Sequence, residues 1–225
     1  MYPRISSIPN GVNGKSLQVE ELVKLSPDIV IAADKKNKEE LTKNGFNVLY
    51  PSFTNHADMK KSIAIMADAI GGDAPKIAQK FNDYFDQNLQ KVLSKTSKIA
   101  QNERPKVLHI AEGKNLFKVD GSNTIIDEWI SVAGGTNAVQ ANGNMLEINA
   151  EEIPNINPAG VFSWDRYGAE GALQILWAAK TLHPEIFKDL DIAAETKKFY
   201  KEFLHYDLND NEVNYILNGL DPEGK

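Results

Sequence analysis

Cysteine is absent from the 225 residues, which removes disulfides, thiolate metal sites and cysteine nucleophiles together. It leaves the compartment open. Long apolar runs are also missing: the best, Ile29-Val30-Ile31-Ala32-Ala33, has the length of a strand and falls far short of the roughly 18 residues that cross a bilayer. Positive charge is not in excess, since 25 Lys and Arg face 31 Asp and Glu for a net charge of −6. No nucleic-acid partner is expected from that balance. Met1-Tyr2-Pro3-Arg4 lacks the apolar stretch of a signal peptide, so an export signal is expected to be absent from this sequence. Histidine is scarce, and His56, His109, His183 and His205 stand at no metal-ligand spacing. There is no phosphate-binding loop, nucleophile elbow or dinucleotide fingerprint, so neither a dedicated metal-ion site nor a catalytic apparatus is predicted.

What remains is the composition of a folded globular chain, 42% hydrophobic and 25% charged, patterned as alternating helices and strands. Val19 to Leu25 has helical spacing and Pro27 closes it before the strand Ile29 to Ala33. A short helix at Glu39 to Asn44 ends at Gly45, and the strand Asn47 to Tyr50 stops at Pro51. His56 to Ile70 is amphipathic and ends at Gly71-Gly72. Asp73 and Pro75 then start a helix whose apolar stripe runs to about Ala100, on the order of 40 Å. A second set follows: a strand at Lys106 to Ala111, a hairpin or loop around Leu116 to Val119, and a helix from Ser122 to Ala133 capped by Ser122 or Asn123 and stopped by Gly134-Gly135. After a short helix at Glu151 to Asn155 and a strand at Val161 to Trp164, the helices 169–182, 195–203 and 209–218 complete the pattern. The domains predicted are an N-terminal α/β lobe at 1–73, a bridging helix at 74–102, and a C-terminal α/β lobe with a helical tail at 103–225.

One segment repeats. Leu17-Gln18-Val19-Glu20-Glu21-Leu22 leads to Pro27 and the strand at Ile29-Val30, and Ile148-Asn149-Ala150-Glu151-Glu152-Ile153 leads to Pro158 and the strand at Val161, at an offset of 131 positions. Duplication of a lobe explains the match. A generic helix-Pro-strand connection explains it equally.

Three segments resemble a known family. Val19 to Ala32, Asp127 with Ala133-Gly134-Gly135-Thr136-Asn137, and Phe162-Ser163-Trp164-Asp165-Arg166 running into Leu182-His183-Pro184-Glu185-Ile186-Phe187 are similar to the substrate-binding proteins of ABC importers for ferric siderophores, haem and cobalamin. The resemblance implies an α/β fold of two Rossmann-like lobes joined by one long rigid helix. It also implies a metal chelate held between the lobes, delivery to a membrane permease, and a periplasmic or lipid-anchored extracytoplasmic location. No cofactor beyond the carried chelate, and no catalysis, is implied. The family carries another strand and helix ahead of Tyr2, and a further strand and helix between Asn157 and the last strand, so both lobes are expected to be short of strands.

Ligands of open α/β sheets sit at the carboxyl ends of the strands, which selects the candidate residues. Trp164, Arg166 and Tyr167 place a planar cation beside two aromatic rings, suited to an anionic, aromatic chelate by charge-assisted bonds and stacking. Packing of Trp164 into the core, and pairing of Arg166 with an acid such as Glu170, are the alternatives. Tyr50, Ser52 and Phe53 follow the second strand of the first lobe, and Asp34 and Lys35 the first. Glu112, Lys114, Asn115, Asp120 and Ser122 in the second lobe read as a solvated loop. His109 reads as core or interface, and His183 as the holder of a structural hydrogen bond. The resemblance further implies that Glu20 and Glu151, the first Glu of each repeat copy, dock onto basic residues of the permease; first-turn acids favoured by the helix dipole are the other reading. Two other functions stay open: an α/β enzyme for a small anionic substrate, with Asp127 or Glu112 as base and Arg166 as clamp, and a degenerate scaffold that has lost its ligand.

Overall fold

The computed structural model describes residues 12–13, 16–32, 34–113, 116–162 and 169–220. Two compact units share them: the described residues up to Phe53 together with Ala57–Ala74, and Thr54–His56 together with Pro75 onward.

In the first unit a short antiparallel ribbon, β1 (Val12–Asn13) and β2 (Ser16–Leu17), leads into α1 (Val19–Leu25). Ser26 closes α1 in the left-handed conformation, its N–H bonding to Val23 O, and Pro27 prevents the helix from resuming. Strand β3 (Val30–Ile31) pairs in parallel with β4 (Val48–Leu49), with Val30 opposite Val48 and Ile31 opposite Leu49. Between them α2 (Lys35–Lys43) starts four residues earlier than the apolar pattern predicts. The cause is Asp34, whose carboxylate accepts the Asn37 N–H at 2.8 Å and caps the helix,. Helix α3 (His56–Ile70) follows, its first residue belonging to the second unit.

The second unit opens with α4 (Ala74–Thr96), which buries Ala78, Phe81, Tyr84, Phe85, Asn88, Val92 and Thr96, a stripe at three- and four-residue spacing,. The expected run to Ala100 is cut short because the Thr96 carbonyl accepts from Ile99 N and from Arg104 Nη2 instead of a continuing helix. A single 3-10 turn at Gln101–Glu103 connects it to β5 (Lys106–Gly113). Strand β6 (Phe117–Val119) returns antiparallel to β5, the hairpin and not the loop of the two expected forms, across a bulge between Ile110 and Glu112. Then come α5 (Ile125–Val132), β7 (Thr136–Asn137), β8 (Leu146–Ile148), a 3-10 turn at Ala150–Glu152, α6 (Ile153–Ile156) and β9 (Gly160–Phe162). Helices α7 (Gly171–Leu182), α8 (Ile192–Leu204) and α9 (Asp210–Leu217) finish the unit.

Strand β5 organises this mixed α/β unit. It pairs in parallel with β7 and with β9, and β8 extends the hairpin as the antiparallel neighbour of β6. Both faces of β5 are covered: Val107 packs into the main core with Ile130, Phe162, Ile175 and Leu176, while Leu108 joins Val119 and Val139 on the other side. A strand apolar on both faces is what a covered sheet demands. Asn88 Nδ2 donates to Ala172 O at 2.9 Å and ties α4 to the start of α7. Tyr84 sits among Phe199 and Phe203 of α8. Burial, with Glu195 and Glu202 nearby, pushes its hydroxyl up to about 12, against a smaller opposing hydrogen bond from Asn88.

The two copies of the repeat end in the same way. Ser26 (φ 47°, ψ 52°) and Asn157 (φ 48°, ψ 60°) are left-handed helix ends 131 positions apart, each followed by Pro and then by β3 or β9.

Candidate functional site

The carboxyl ends of β3 and β4 share one edge of the first unit. Leu49, Tyr50, Pro51 and Ser52 leave β4 there and, with Asp58, Lys61, Ser62 and Ile65 of α3, line a recess of about 250 Å³. Lys38 of α2 stands 5.6 Å from the centre of the Tyr50 ring, a cation–π contact. Asp58 and Lys61 are 3.0 Å apart at the surface. Aromatic, hydroxyl and paired charge thus meet in one place, although screening by water leaves the surface pair little net energy. Phe53 follows at 37% exposure and is not part of the lining. Lys35 is the first residue of α2 and Asp34 its cap.

In the second unit β5, β7 and β9 are parallel, so their carboxyl ends also share an edge. Trp164, Arg166 and Tyr167, predicted at the end of β9, lie outside the described residues, as do Lys114 and Asn115. What is described near this edge is a buried polar network. His109 and Asp120 are 0% and 1% exposed, and His109 Nδ1 lies 2.8 Å from Asp120 Oδ2. Asp120 Oδ1 accepts the Met145 N–H at 3.1 Å, and Asn137 Nδ2 donates to the Asp120 carbonyl at 3.2 Å. The reading of Asp120 as solvated is therefore overturned. Asp120 directly follows β6 opposite β5, and a partner reached across a hairpin leaves no trace in residue order.

The same carboxylate joins two loops. Gly121 N donates to Gly143 O at 2.8 Å, Ser122 N to Ala141 O at 2.9 Å, and Gly143 N to Ser122 O at 3.1 Å. Ser122 Oγ donates to Gln140 O, so Ser122 is not the cap of α5. Thr124 is: its hydroxyl accepts from Asp127 N at 3.1 Å. Asp127 Oδ2 in turn accepts the Asn123 N–H, which makes it part of the helix end. Glu112 is exposed on β5.

Glu20 lies exposed in the first turn of α1, and Glu151 is exposed in the turn before α6. The residues that follow them act differently. Glu21 pairs with Lys24, whereas Glu152 accepts from Asn149 N and closes a capping box. His183 Nε2 stands 3.1 Å from Gly134 O, the structural bond expected. The His56 N–H donates to Glu128 Oε2 at 2.6 Å, and the His56 ring lies 5.0 Å from Phe85. Among the described residues no three His, Asp or Glu side chains are grouped to hold a metal ion, and no helix is long and apolar enough to cross a membrane.

Comparison with known proteins decides the family. The family model described as periplasmic binding protein matches residues 2–204. The chain belongs to the periplasmic binding protein family. Among its relatives, this periplasmic binding protein is 22% identical over 172 residues to the uncharacterized ABC transporter substrate-binding lipoprotein YvrC of Bacillus subtilis, a match covering 73% of the chain. It spans 54% of that lipoprotein's length. The molybdate periplasmic binding protein MolA of Haemophilus influenzae superposes with a TM-score of 0.79 at 14% identity, over 92% of this chain and 81% of MolA. CeuE of Helicobacter pylori, solved with Ni(II) bound, gives 0.69 at 23% identity, over 92% and 77%. Both likenesses establish the fold of this periplasmic binding protein, an α/β architecture as the resemblance implied.

Proposed function

We propose that this periplasmic binding protein is the extracytoplasmic substrate-binding component of an ABC importer, a carrier and not an enzyme, which captures a small metal chelate and hands it to a permease. The observation that carries this reading is the family match over residues 2–204, supported by the left-handed helix end, Pro and strand that recur at Ser26 and Asn157. A ferric siderophore is the ligand class favoured, with haem or cobalamin as the alternatives. Tyr50 lines the recess of the first unit and supplies ligand contacts there, with Phe53 and Lys35 contributing from outside its lining; Trp164, Arg166 and Tyr167 supply contacts in the second unit. Glu20 and Glu151 dock on basic permease residues, which their exposure permits.

The test is titration of the full chain with ferric siderophore, haemin and molybdate, read by tryptophan quenching. Arg166→Ala weakens the bound probe more than Lys35→Ala, because a guanidinium fork on an anionic oxygen is worth about 1.5–3 kcal/mol and an exposed ammonium less. Glu20→Arg with Glu151→Arg leaves affinity unchanged yet stops uptake into permease vesicles, since like charges then face each other. Failure of all three probes to bind refutes the carrier reading.

A further inference from the structure

The described surface of the second unit contains one conspicuous gap in charge. Residues 129–146 form the longest stretch of the chain without Asp, Glu, Lys or Arg, in a protein where a quarter of all residues are charged. Its first half is core. Its second half is not: Gln140, Ala141, Asn142, Asn144 and Met145 are all exposed, where a surface ordinarily carries about one charge in every three or four residues.

This neutral loop is also unusually fixed. Three main-chain hydrogen bonds and the Ser122 hydroxyl join 140–143 to 121–122. Met145 is held at φ 56°, with 41% of its surface exposed, by the bond from its N–H to the buried Asp120 carboxylate. Asn123 on the facing loop is at φ 58°. Asn adopts the left-handed region readily, whereas a left-handed Met persists where its surroundings impose it. The loop leaves the carboxyl end of β7, the sheet edge from which β9 also exits.

We infer that loop 140–145 is a preorganised, uncharged recognition face that takes the neutral, oxygen-bearing outer surface of the ligand, with Asn142, Asn144 and Met145 setting specificity. This rests on the carrier reading above. Side-chain amides both donate to and accept from carbonyl or hydroxyl oxygens, and a thioether offers a soft apolar surface beside them. A rigid face binds without the cost of ordering itself. The chemistry suits a chelate wrapped in amide and hydroxamate groups and disfavours a ligand charged on every side.

The experiment uses the full chain, an uncharged ferric trihydroxamate complex and molybdate, with calorimetric titration of the wild type and of the double variant Asn142→Asp, Asn144→Asp. The trihydroxamate complex binds the wild type and molybdate does not. The double variant binds the complex at least about tenfold more weakly, because each new carboxylate loses its donors and faces oxygen lone pairs, while its thermal midpoint stays at the wild-type value. Unchanged affinity in the double variant, or binding of molybdate in place of the complex, overturns the inference and leaves the carrier reading standing. Binding of neither probe overturns the inference, and failure of haemin as well overturns the carrier reading with it.

Discussion

Replacing Gly121 by alanine tests the junction of the two loops directly. An ideal Cβ at Gly121 falls 1.9 Å from Ala141 O and 3.1 Å from Leu146 Cδ1. To reach an ordinary C···O contact of about 3.3 Å the loops must separate by about 1.4 Å. Such a shift breaks the 2.8 and 2.9 Å bonds from Gly121 N and Ser122 N. Each lost partner costs about 1–3 kcal/mol where water cannot replace it, so Gly121→Ala should destabilise the second unit by about 3–5 kcal/mol. Gly143 provides the control. Its Cβ would meet nothing nearer than Leu146 Cδ2 at 3.9 Å, but its φ of +113° strains any other residue, a cost of about 1–3 kcal/mol. The three tryptophans, Trp129, Trp164 and Trp177, all belong to the second unit, so urea unfolding followed by their fluorescence reports this unit alone. On heating, the Gly121 variant should melt about 6–20 °C below the wild type. A Gly121→Ala protein within about 1 kcal/mol of the wild type, or one more stable than Gly143→Ala, would refute the steric argument.

Acid should loosen α9 before α7. Hydrogen bonding and charge from Lys197 hold the Asp210 carboxyl below its usual range, and hydrogen bonds from the Tyr206 hydroxyl and Asn209 N–H do the same for Glu212. Folded values below the unfolded ones stabilise above the ordinary carboxylate range near pH 4 and lose that contribution as pH falls through the lower folded values; amide exchange that stays equally slow in α9 and α7 at pH 3 contradicts this. At the alkaline end Tyr84 acts with the opposite sign. Its hydroxyl is raised from 10.0 to about 12, so stability is intact below pH 10 and declines as pH rises through 12. Tyr84→Phe should flatten that limb in fluorescence-monitored unfolding, and an unchanged slope would assign the loss to other groups.

The parts of the fold legible in the sequence are those set by local chemistry. The α1 stripe, its Pro27 stop and the uninterrupted apolar face of α4 each depend on spacing along a single helix. Strands β7 and β8 are illegible because two or three residues carry no period; pairing with β5 and β6 makes them strands. Lys35 is hard to place for a related reason. Helix α2 is polar along most of its length, with Leu41 its one buried residue, so only the Asp34 cap marks where it starts. At the site, Tyr50 is found from its place after a strand, whereas Asp120 reads as solvated because its partner His109 lies on the other side of a hairpin. The charge-free stretch before Glu147 is visible in the residues themselves; its meaning depends on which half is exposed.

The seat of His56 also sets an order of events during synthesis. Its main-chain N–H, at the start of α3, is held by a carboxylate that lies 72 residues further along the chain. At roughly 5–20 residues per second, Glu128 is made about 4–14 s after His56. Until then the first turn of α3 has every residue of its own helix but lacks the anion that accepts its leading amide. A ribosome stalled before residue 128 would therefore carry an α3 whose start frays, and release of the stall would be seen as a late gain of protection at His56.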